Sequence, residues 1–120
     1  MTTSFRELIV WQKPMKLVVE VYRLTRPFPR EELYGLTSQI RRSVIAIPSN
    51  IAEGYVRRHT KEYAQFVNIA FASGAELETQ LEISRTLGYI SKEGYSNVQA
   101  LVEEIMKMLN KLSGVLRTKS

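Results

Sequence analysis

A run of aliphatic residues at helical spacing narrows the choice of fold more than any other feature of this chain. Within residues 39–58, the sequence QIRRSVIAIPSNIAEGYVRR places Ile40, Val44, Ile47 and Ile51 at steps of three or four. This spacing stacks the four side chains on one face of an α-helix. Pro48 lies inside the segment and has no N–H to donate to the carbonyl four residues earlier. We predict a long helix bent at Pro48, with a full break there as the alternative.

Three other segments also have the spacing of amphipathic helices. The first is predicted at residues 11–25, beginning near Ile9–Gln12 because Pro14 suits only the first turn of a helix. The third is predicted at residues 61–87 and the fourth from residue 91, or from after residue 94, to residue 116. The sequence therefore predicts an all-α protein, an antiparallel up-down-up-down four-helix bundle with the second helix bent at Pro48.

Capping residues mark where these helices begin and end. Thr37 or Ser38 is expected to cap the second helix and Thr60 the third, because a hydroxyl there accepts from a free backbone N–H. Gly88 suits the left-handed position that ends a helix, and Ser91 suits the cap of the fourth. One domain is expected over residues 1–120, with a short leader at 1–8 and a frayed C-terminus at 117–120.

The composition excludes several classes of site and of location. The chain has 120 residues, no cysteine, one histidine and a net charge of +5. Disulfides and thiolate metal sites are therefore excluded. The N-terminus lacks the pattern of a signal peptide, and no apolar segment reaches the roughly 18–20 residues that span a bilayer. We expect a cytoplasmic protein without a membrane partner, whose charge permits binding to nucleic acid without requiring it.

The third helix is apolar on more than one side. Between residues 66 and 77 its inner seam is expected to use Phe66, Val67, Ala70, Phe71, Gly74 and Leu77. Ile69, Ala72 and Ala75 then point elsewhere, and small residues here would let another helix approach. Since a thin bundle rarely covers two helices completely, we expect a homo-oligomer; the alternative is that one bundle covers both. The candidate interface or structural residues are Pro48, Ser49, Asn50, Glu53, Ile69, Ala72, Ser73, Glu76 and Glu78.

Basic residues near the two ends of the second helix are the candidates for nucleic-acid contact. They are Arg41, Arg42, Arg57, Arg58 and Lys61. Guanidinium groups are always charged and bind phosphate well, and the start of the third helix adds free N–H groups. The alternative is a solvated rim, or pairing with acids such as Glu53 four residues before Arg57.

No catalytic or metal-binding pattern is present. Ser49, Asn50 and Glu53 beside Glu76, Glu78 and Gln80 could form a polar cluster, but no base is paired with a nucleophile. A structural role is favoured, such as satisfying the carbonyl freed by Pro48 or pairing with Arg42 across an interface. A di-iron site in the bundle would need several histidines, and His59 is expected in a loop. We expect no catalytic residue, no metal and no cofactor.

Three segments together resemble one bacterial family, the 23S rRNA-intervening-sequence proteins, which are sometimes labelled as a ribosomal protein. They are VWQKPMKLVVEVYRLTRPFP, YGLTSQIRRSVIAIPSNIAEGYVRRHTKEY and AELETQLEISRTLGYI. The resemblance runs from about residue 5 to 116, and the motifs IPSNIAEG and ELETQL are specific to it. Pro14 and Ser43 stand where alanine is commoner. The resemblance implies an antiparallel four-helix bundle that assembles as a ring-like homopentamer.

A related protein is the accessory factor of diversity-generating retroelements, a partner of nucleic acid and of a reverse transcriptase. The first functional hypothesis is therefore a non-enzymatic oligomer that binds nucleic acid, RNA in preference to DNA, through basic rims. The alternative is a protein–protein interaction scaffold or accessory factor without direct nucleic-acid binding. An enzyme is the least favoured of the three classes.

Overall fold

The computed structural model describes residues 4–119, which form helices joined by short connections and contain no β-strand. Two short 3₁₀ helices precede α1 and α2, at Phe5–Glu7 and Arg30–Glu32. The four α-helices are α1 (Ile9–Thr25), α2 (Leu36–Val56), α3 (Thr60–Thr86) and α4 (Lys92–Lys119). The all-α prediction is confirmed. Residues 1–3 of the expected leader and Ser120 of the expected frayed end lie outside the described residues.

The helices pack as a four-helix bundle. Each packs against the next along the chain, and α4 closes the arrangement by packing against α1. Short connections between consecutive helices make neighbours antiparallel, as predicted. The molecule is elongated, with extents of 44 × 23 × 20 Å.

The second helix is continuous through Pro48, so the alternative of a full break is wrong. Its seam is the predicted one, because spacing at 3.6 residues per turn places these side chains on the buried face. The fully buried members are Ile40, Val44, Ile47 and Ile51.

The inner seam of α3 follows strict steps of three and four, with one departure from prediction. Seven residues of α3 are buried; Gln80 is one, and the six that keep this spacing are Val67, Ala70, Gly74, Leu77, Leu81 and Ser84. Phe71, predicted for this seam, is 36% exposed, because its position on the helix falls beside the seam. Gly74 faces Met106 of α4 so closely that a Cβ would collide with the sulfur. The small residue at position 74 is therefore used within the bundle and not for contact with another chain.

The end of α3 and the start of α4 follow the predicted caps. Gly88 has φ 81°, in the left-handed region that favours glycine. The Ser91 hydroxyl accepts from the backbone N–H of Gly94 at 3.0 Å, as an N-cap does. The fourth helix then continues to Lys119, three residues beyond the predicted end at 116.

The predicted caps of α2 and α3 are wrong. The second helix begins at Leu36, and its backbone N–H donates to the carboxylate of Glu32 at 3.3 Å. Thr37 is buried within the first turn and so does not serve as a cap. The third helix begins at Thr60 itself, which leaves His59 at the capping position without a side-chain bond.

Candidate nucleic-acid interface

Residues 57–59, here called the second connection, join α2 to α3 and bring three of the predicted basic residues together. Arg57, Arg58 and Lys61 are all exposed at this end of the bundle. The backbone reverses direction through Arg58, whose φ of 63° is in the left-handed region. These three residues lie at the α2–α3 turn, where the sequence indicated, and their role in binding stays a prediction.

Few groups compete for the charge of this cluster. The guanidinium of Arg57 lies 5.1 Å from the centroid of the Phe66 ring and 3.9 Å from a carboxylate oxygen of Glu62. The expected pairing with Glu53 is not the one that forms. Both members of the Arg57–Glu62 pair are largely exposed, so it contributes little stability and leaves the guanidinium available. The first turn of α3 adds backbone N–H groups that favour an anion.

Close packing holds the second connection in place. A Cβ built on Gly54 would lie 2.6 Å from the Cβ of Phe66 and 3.1 Å from the ring of Tyr63. The rings of Tyr55 and Tyr63 meet edge to face at 5.8 Å. Burial, and secondarily the charge of Tyr55, raises the pKa of Tyr63 to about 12. The cations therefore project from a firmly packed corner of the bundle.

Arg41 and Arg42, two of the predicted basic residues, lie in different surroundings. Arg41 turns towards α1, where its Nε donates to the Thr25 hydroxyl at 3.0 Å and its Nη2 to the Tyr22 carbonyl at 3.4 Å. Its guanidinium also lies 4.4 Å from the centroid of the Tyr22 ring. A cation at the last turn of α1 is favoured by the carbonyls exposed there. Arg42 is exposed, and about 22 Å of helix separates it from Arg57.

Two arginines that the sequence reasoning passed over accompany Arg41. Residues 26–35, here called the first connection, contain Arg26 and Arg30, which line the same cavity of about 610 Å³ as Arg41. The signal that could have found them was the alternation of arginine and proline in RPFPR, because prolines hold a connection in a fixed shape. The cationic residues therefore divide between two ends of the bundle.

The predicted polar cluster does not form as expected. The antiparallel register places Ser43 of α2 against α3, and its hydroxyl lies 2.6 Å from Glu76 and 3.0 Å from the Gln80 side chain. Glu78 faces α4 instead and accepts from the Gln99 amide at 2.9 Å. Since Glu76 and Glu78 face different helices, they do not form a carboxylate pair.

The polar residues of α2 lie elsewhere. The Asn50 amide donates to the carbonyl of Ala46 at 2.8 Å, so it does not satisfy the carbonyl of Val44 that Pro48 leaves free. Ser49 and Glu53 are exposed. Pro48 is buried and, with Ile45, forms part of an apolar groove between α1 and α2 that has a volume of about 340 Å³.

The candidate interface residues of α3 share an outward stripe. Ile69 is 48% exposed, and Ile83 and Leu87 are 44% and 54% exposed. Ala72 and Glu76 are also exposed, whereas Ser73 is half-buried. Steps of three, four and eleven place Ile69, Ala72, Ile83 and Leu87 on one face, nearly opposite the inner seam, whereas the Glu76 carboxylate reaches Ser43 of α2.

Neither a metal centre nor a membrane segment is found in the described part of the chain. Within residues 4–119, no three histidine, cysteine, aspartate or glutamate side chains lie close enough together to hold a metal ion. None of the described helices combines the length and the apolar character needed to cross a bilayer.

Comparison with known proteins agrees with the fold and with the resemblance seen in the sequence. The family profile described as 23S rRNA-intervening sequence protein matches residues 6–111. A crystal structure of a protein of unknown function from the S23 ribosomal protein family of Bacteroides thetaiotaomicron is similar, with a TM-score of 0.82 and 26% identity over 88% of this chain and 96% of that chain. No curated protein sequence matches. The chain belongs to the family of 23S rRNA-intervening sequence proteins.

Proposed function

We propose that this protein is a non-enzymatic homo-oligomer that binds nucleic acid, with RNA as the favoured ligand. The observation that carries the proposal is the exposed cluster of Arg57, Arg58 and Lys61 at the second connection. The family description, 23S rRNA-intervening sequence protein, is a reason to test RNA first, although it names a sequence and not a ligand. The cluster itself selects only for phosphate.

The chemistry of the cluster suits a phosphate backbone. Two guanidinium groups and one ammonium group are exposed within five residues, beside the first turn of α3. Each cation that neutralises a phosphate releases condensed counterions, which is the main source of sequence-independent affinity. No aromatic ring is needed for this mode of binding, because the contact is to the backbone and not to the bases.

Assembly of several copies would multiply this modest charge. The outward stripe of α3 exposes Ile69, Ile83 and Leu87, and the groove between α1 and α2 is lined by apolar residues such as Met15 and Ile45. Apolar surfaces of this kind mark sites of protein contact. Two different surfaces that pair head to tail generate a closed ring when the rotation closes. A pentamer is the form we propose, since it agrees with the resemblance.

The ring matters for affinity because each copy contributes one weak patch. Once one patch is bound, the next contact of the same strand is intramolecular, and its effective concentration is high.

The two mid-bundle carboxylates Glu76 and Glu78 face different helices, so they do not provide an acid–base pair. This arrangement favours binding over catalysis.

The nucleic-acid proposal is tested by fluorescence anisotropy with labelled single-stranded RNA, duplex RNA and DNA over a salt series. The triple variant Arg57→Gln, Arg58→Gln and Lys61→Gln should bind RNA at least about tenfold more weakly. Its plot of log affinity against log salt should also be shallower, by roughly 0.7–0.9 for each phosphate that the variant no longer neutralises.

The matched control removes three positive charges from the exposed face of α4, by Lys92→Gln, Lys107→Gln and Lys111→Gln. It should change RNA affinity by less than about threefold. Equal reductions in affinity in the two triple variants would mean that only net charge matters, and absence of binding at low salt would reject nucleic acid as the ligand. A protein partner that survives nuclease treatment would then favour the scaffold alternative.

Assembly is tested by light scattering coupled to size-exclusion chromatography at micromolar concentration. The wild-type protein should have a mass several times the 13.8 kDa of one chain. Ile83→Glu should reduce that mass while the helical circular dichroism is kept, because it places a charge in the outward stripe. A wild-type species with the mass of one chain would contradict the oligomer and the multiplied-charge mechanism together.

A further inference from the structure

We infer that the cavity at the first connection is a binding site for a nucleoside monophosphate, either free or at the 5′ end of a strand. The cavity has a volume of about 610 Å³ and lies between the end of α1, residues 26–35 and the start of α2. Ligand sites commonly have volumes of about 300–1,000 Å³. The site lies at the opposite end of α2 from Arg57 and does not rest on the proposed function.

Three guanidinium groups supply the charge of this cavity. Arg26 and Arg30 are exposed along the first connection and have no ion-pair partner within residues 4–119. Arg41 is half-buried and is held by the Thr25 hydroxyl and the Tyr22 carbonyl, which leaves part of its fork of five donors unused. A phosphomonoester carries a charge of about −1.5 to −2 at neutral pH, so three guanidinium groups are more than enough to neutralise it.

One residue of the cavity wall has an unsatisfied hydroxyl. Thr37 is only 4% exposed and contributes to the cavity wall, and its Oγ1 has no hydrogen-bond partner among the described residues. A buried hydroxyl without a partner costs free energy, but this oxygen is not exposed to the cavity, so the assignment rests on the arginines and not on Thr37. Thr37 also lies in the first turn of α2, where backbone N–H groups lack intrahelical acceptors and favour an anion.

The remaining wall is apolar, which argues for an organic ligand and not for a bare inorganic anion. Phe28, Pro29 and Leu33 line the cavity beside the arginines. A phosphate group occupies only a small part of 610 Å³. A nucleobase is flat and apolar on its faces, so it can lie against such a wall or on a guanidinium plane.

The first connection also carries two carboxylates, Glu31 and Glu32, and neither of them lines the cavity. Both oxygens of Glu32 are engaged, one by the N–H of Leu36 and the other by the hydroxyl of Tyr89 at 2.9 Å. Its hydrogen bonds stabilise the first connection and turn the carboxylate towards these donors. Tyr89 in turn packs against Phe28, with ring centroids 5.3 Å apart, so the same contacts support the apolar wall.

The test is isothermal titration calorimetry of the full chain with AMP, adenosine, inorganic phosphate and citrate. AMP should bind with a Kd below about 1 mM at one site per chain, and adenosine and phosphate at least about tenfold more weakly. Citrate that binds as tightly as AMP would overturn the assignment, because the cavity would then select only for charge. Absence of saturable AMP binding would overturn it as well.

Variants locate the site. Arg26→Gln with Arg30→Gln should weaken AMP binding at least about tenfold, whereas Lys107→Gln with Lys111→Gln, an equal reduction of charge on α4, should change it by less than about twofold. Thr37→Val keeps the shape of the side chain and removes a hydroxyl that is not exposed to the cavity, so it should change AMP binding by less than about twofold. Equal effects of the two double variants would contradict the site.

A competition experiment distinguishes the two sources of the ligand, a free nucleotide and the 5′ end of a strand. A 5′-phosphorylated oligonucleotide that displaces AMP, when its unphosphorylated counterpart does not, would identify a strand end as the ligand. Displacement by neither would identify the free nucleotide, and either result supports the site. The triple variant at Arg57, Arg58 and Lys61 should retain AMP binding, so failure of the proposed function and failure of this site are distinguishable.

Discussion

The first and second connections each contain two arginines but organise them in different ways. The first spans residues 26–35 and contains two prolines and a 3₁₀ turn. It borders an open cavity that is lined by Arg26, Arg30 and Arg41. The second spans only residues 57–59, and its arginines and the adjacent Lys61 project from a closely packed corner. The lengths of the two connections account for this difference, because the three residues of the second connection are too few to form the wall of a cavity.

This contrast separates two kinds of anion recognition. A convex cluster such as Arg57, Arg58 and Lys61 can follow an extended polyanion, and its affinity falls with salt. A concave wall with a partly buried guanidinium, as at Arg41, can enclose one phosphate and the organic group attached to it. The number of arginines does not distinguish the two connections, since each contains two.

Close packing at the second connection gives the largest expected change in stability. Gly54→Ala would place a Cβ 2.6 Å from the Cβ of Phe66, which cannot move without α3. Overpacking of this kind costs about 3 kcal/mol, and the better helix propensity of alanine returns about 1 kcal/mol. We expect the free energy of unfolding, from urea denaturation at fixed protein concentration, to fall by about 2 kcal/mol.

The control is Gly114→Ala in α4, where the nearest atom to an added Cβ is the Arg117 guanidinium at 3.9 Å. This variant should be stabilised by about 0.5–1 kcal/mol, because only the helix propensity changes. A Gly54→Ala variant as stable as the wild type would show that the second connection can relax.

Periodicity within single helices predicted much of the fold. The seam of α2, from Ile40 to Ile51, is fully buried as predicted, because spacing alone decides which face of an amphipathic helix is apolar. Phe71 was assigned wrongly because α3 is apolar on several sides, and its seam cannot be located from hydrophobicity alone. The packing of α4 against Gly74 decides that face.

Register between helices could not be predicted, and the candidate site depends on it. The sequence suggested that Ser49, Asn50 and Glu53 lie beside Glu76 and Gln80. Instead the register places Gly54 against Phe66 and Ser43 against Gln80, so residues 49–53 of α2 lie level with α3 residues near 70. Arg41 and Arg42 are adjacent in sequence, but only the position of α1 decides that Arg41 turns inwards.

Arg41 and Arg42 provide a direct comparison of an anchored arginine with a solvated one. Arg41→Met removes hydrogen bonds to Thr25 and Tyr22 and a cation–π interaction, while keeping most of the apolar stem. We expect it to lower the free energy of unfolding by about 1.5 kcal/mol. Chemical denaturation monitored by circular dichroism measures the change.

Arg42→Met is the matched control, since it removes the same charge from the neighbouring position on α2. Its effect on the free energy of unfolding should stay within about 0.5 kcal/mol. Similar destabilisation in the two variants would mean that the charge of Arg41, and not its hydrogen bonds, stabilises the end of α1.

The smallest expected effect is a change in the pH dependence of stability. It is tested with one tyrosine at each end of the bundle, Tyr63 and Tyr89. Burial raises the pKa of Tyr63 from 10.0 to about 12, so above pH 10 the unfolded chain loses a proton that the folded chain keeps. The contribution of Tyr63 is complete below pH 10 and is lost as pH rises towards 12. Tyr63→Phe should therefore lose less stability between pH 8 and pH 11 than the wild type, as measured by the midpoint of urea denaturation.

Near the first connection, the hydrogen bond with Glu32 is the main cause that raises the pKa of Tyr89. Tyr89→Phe should therefore already be less stable at neutral pH, because it loses that bond. If the stability of Tyr63→Phe and that of Tyr89→Phe change with pH in the same way, burial does not distinguish the end of the bundle at the second connection from the end at the first.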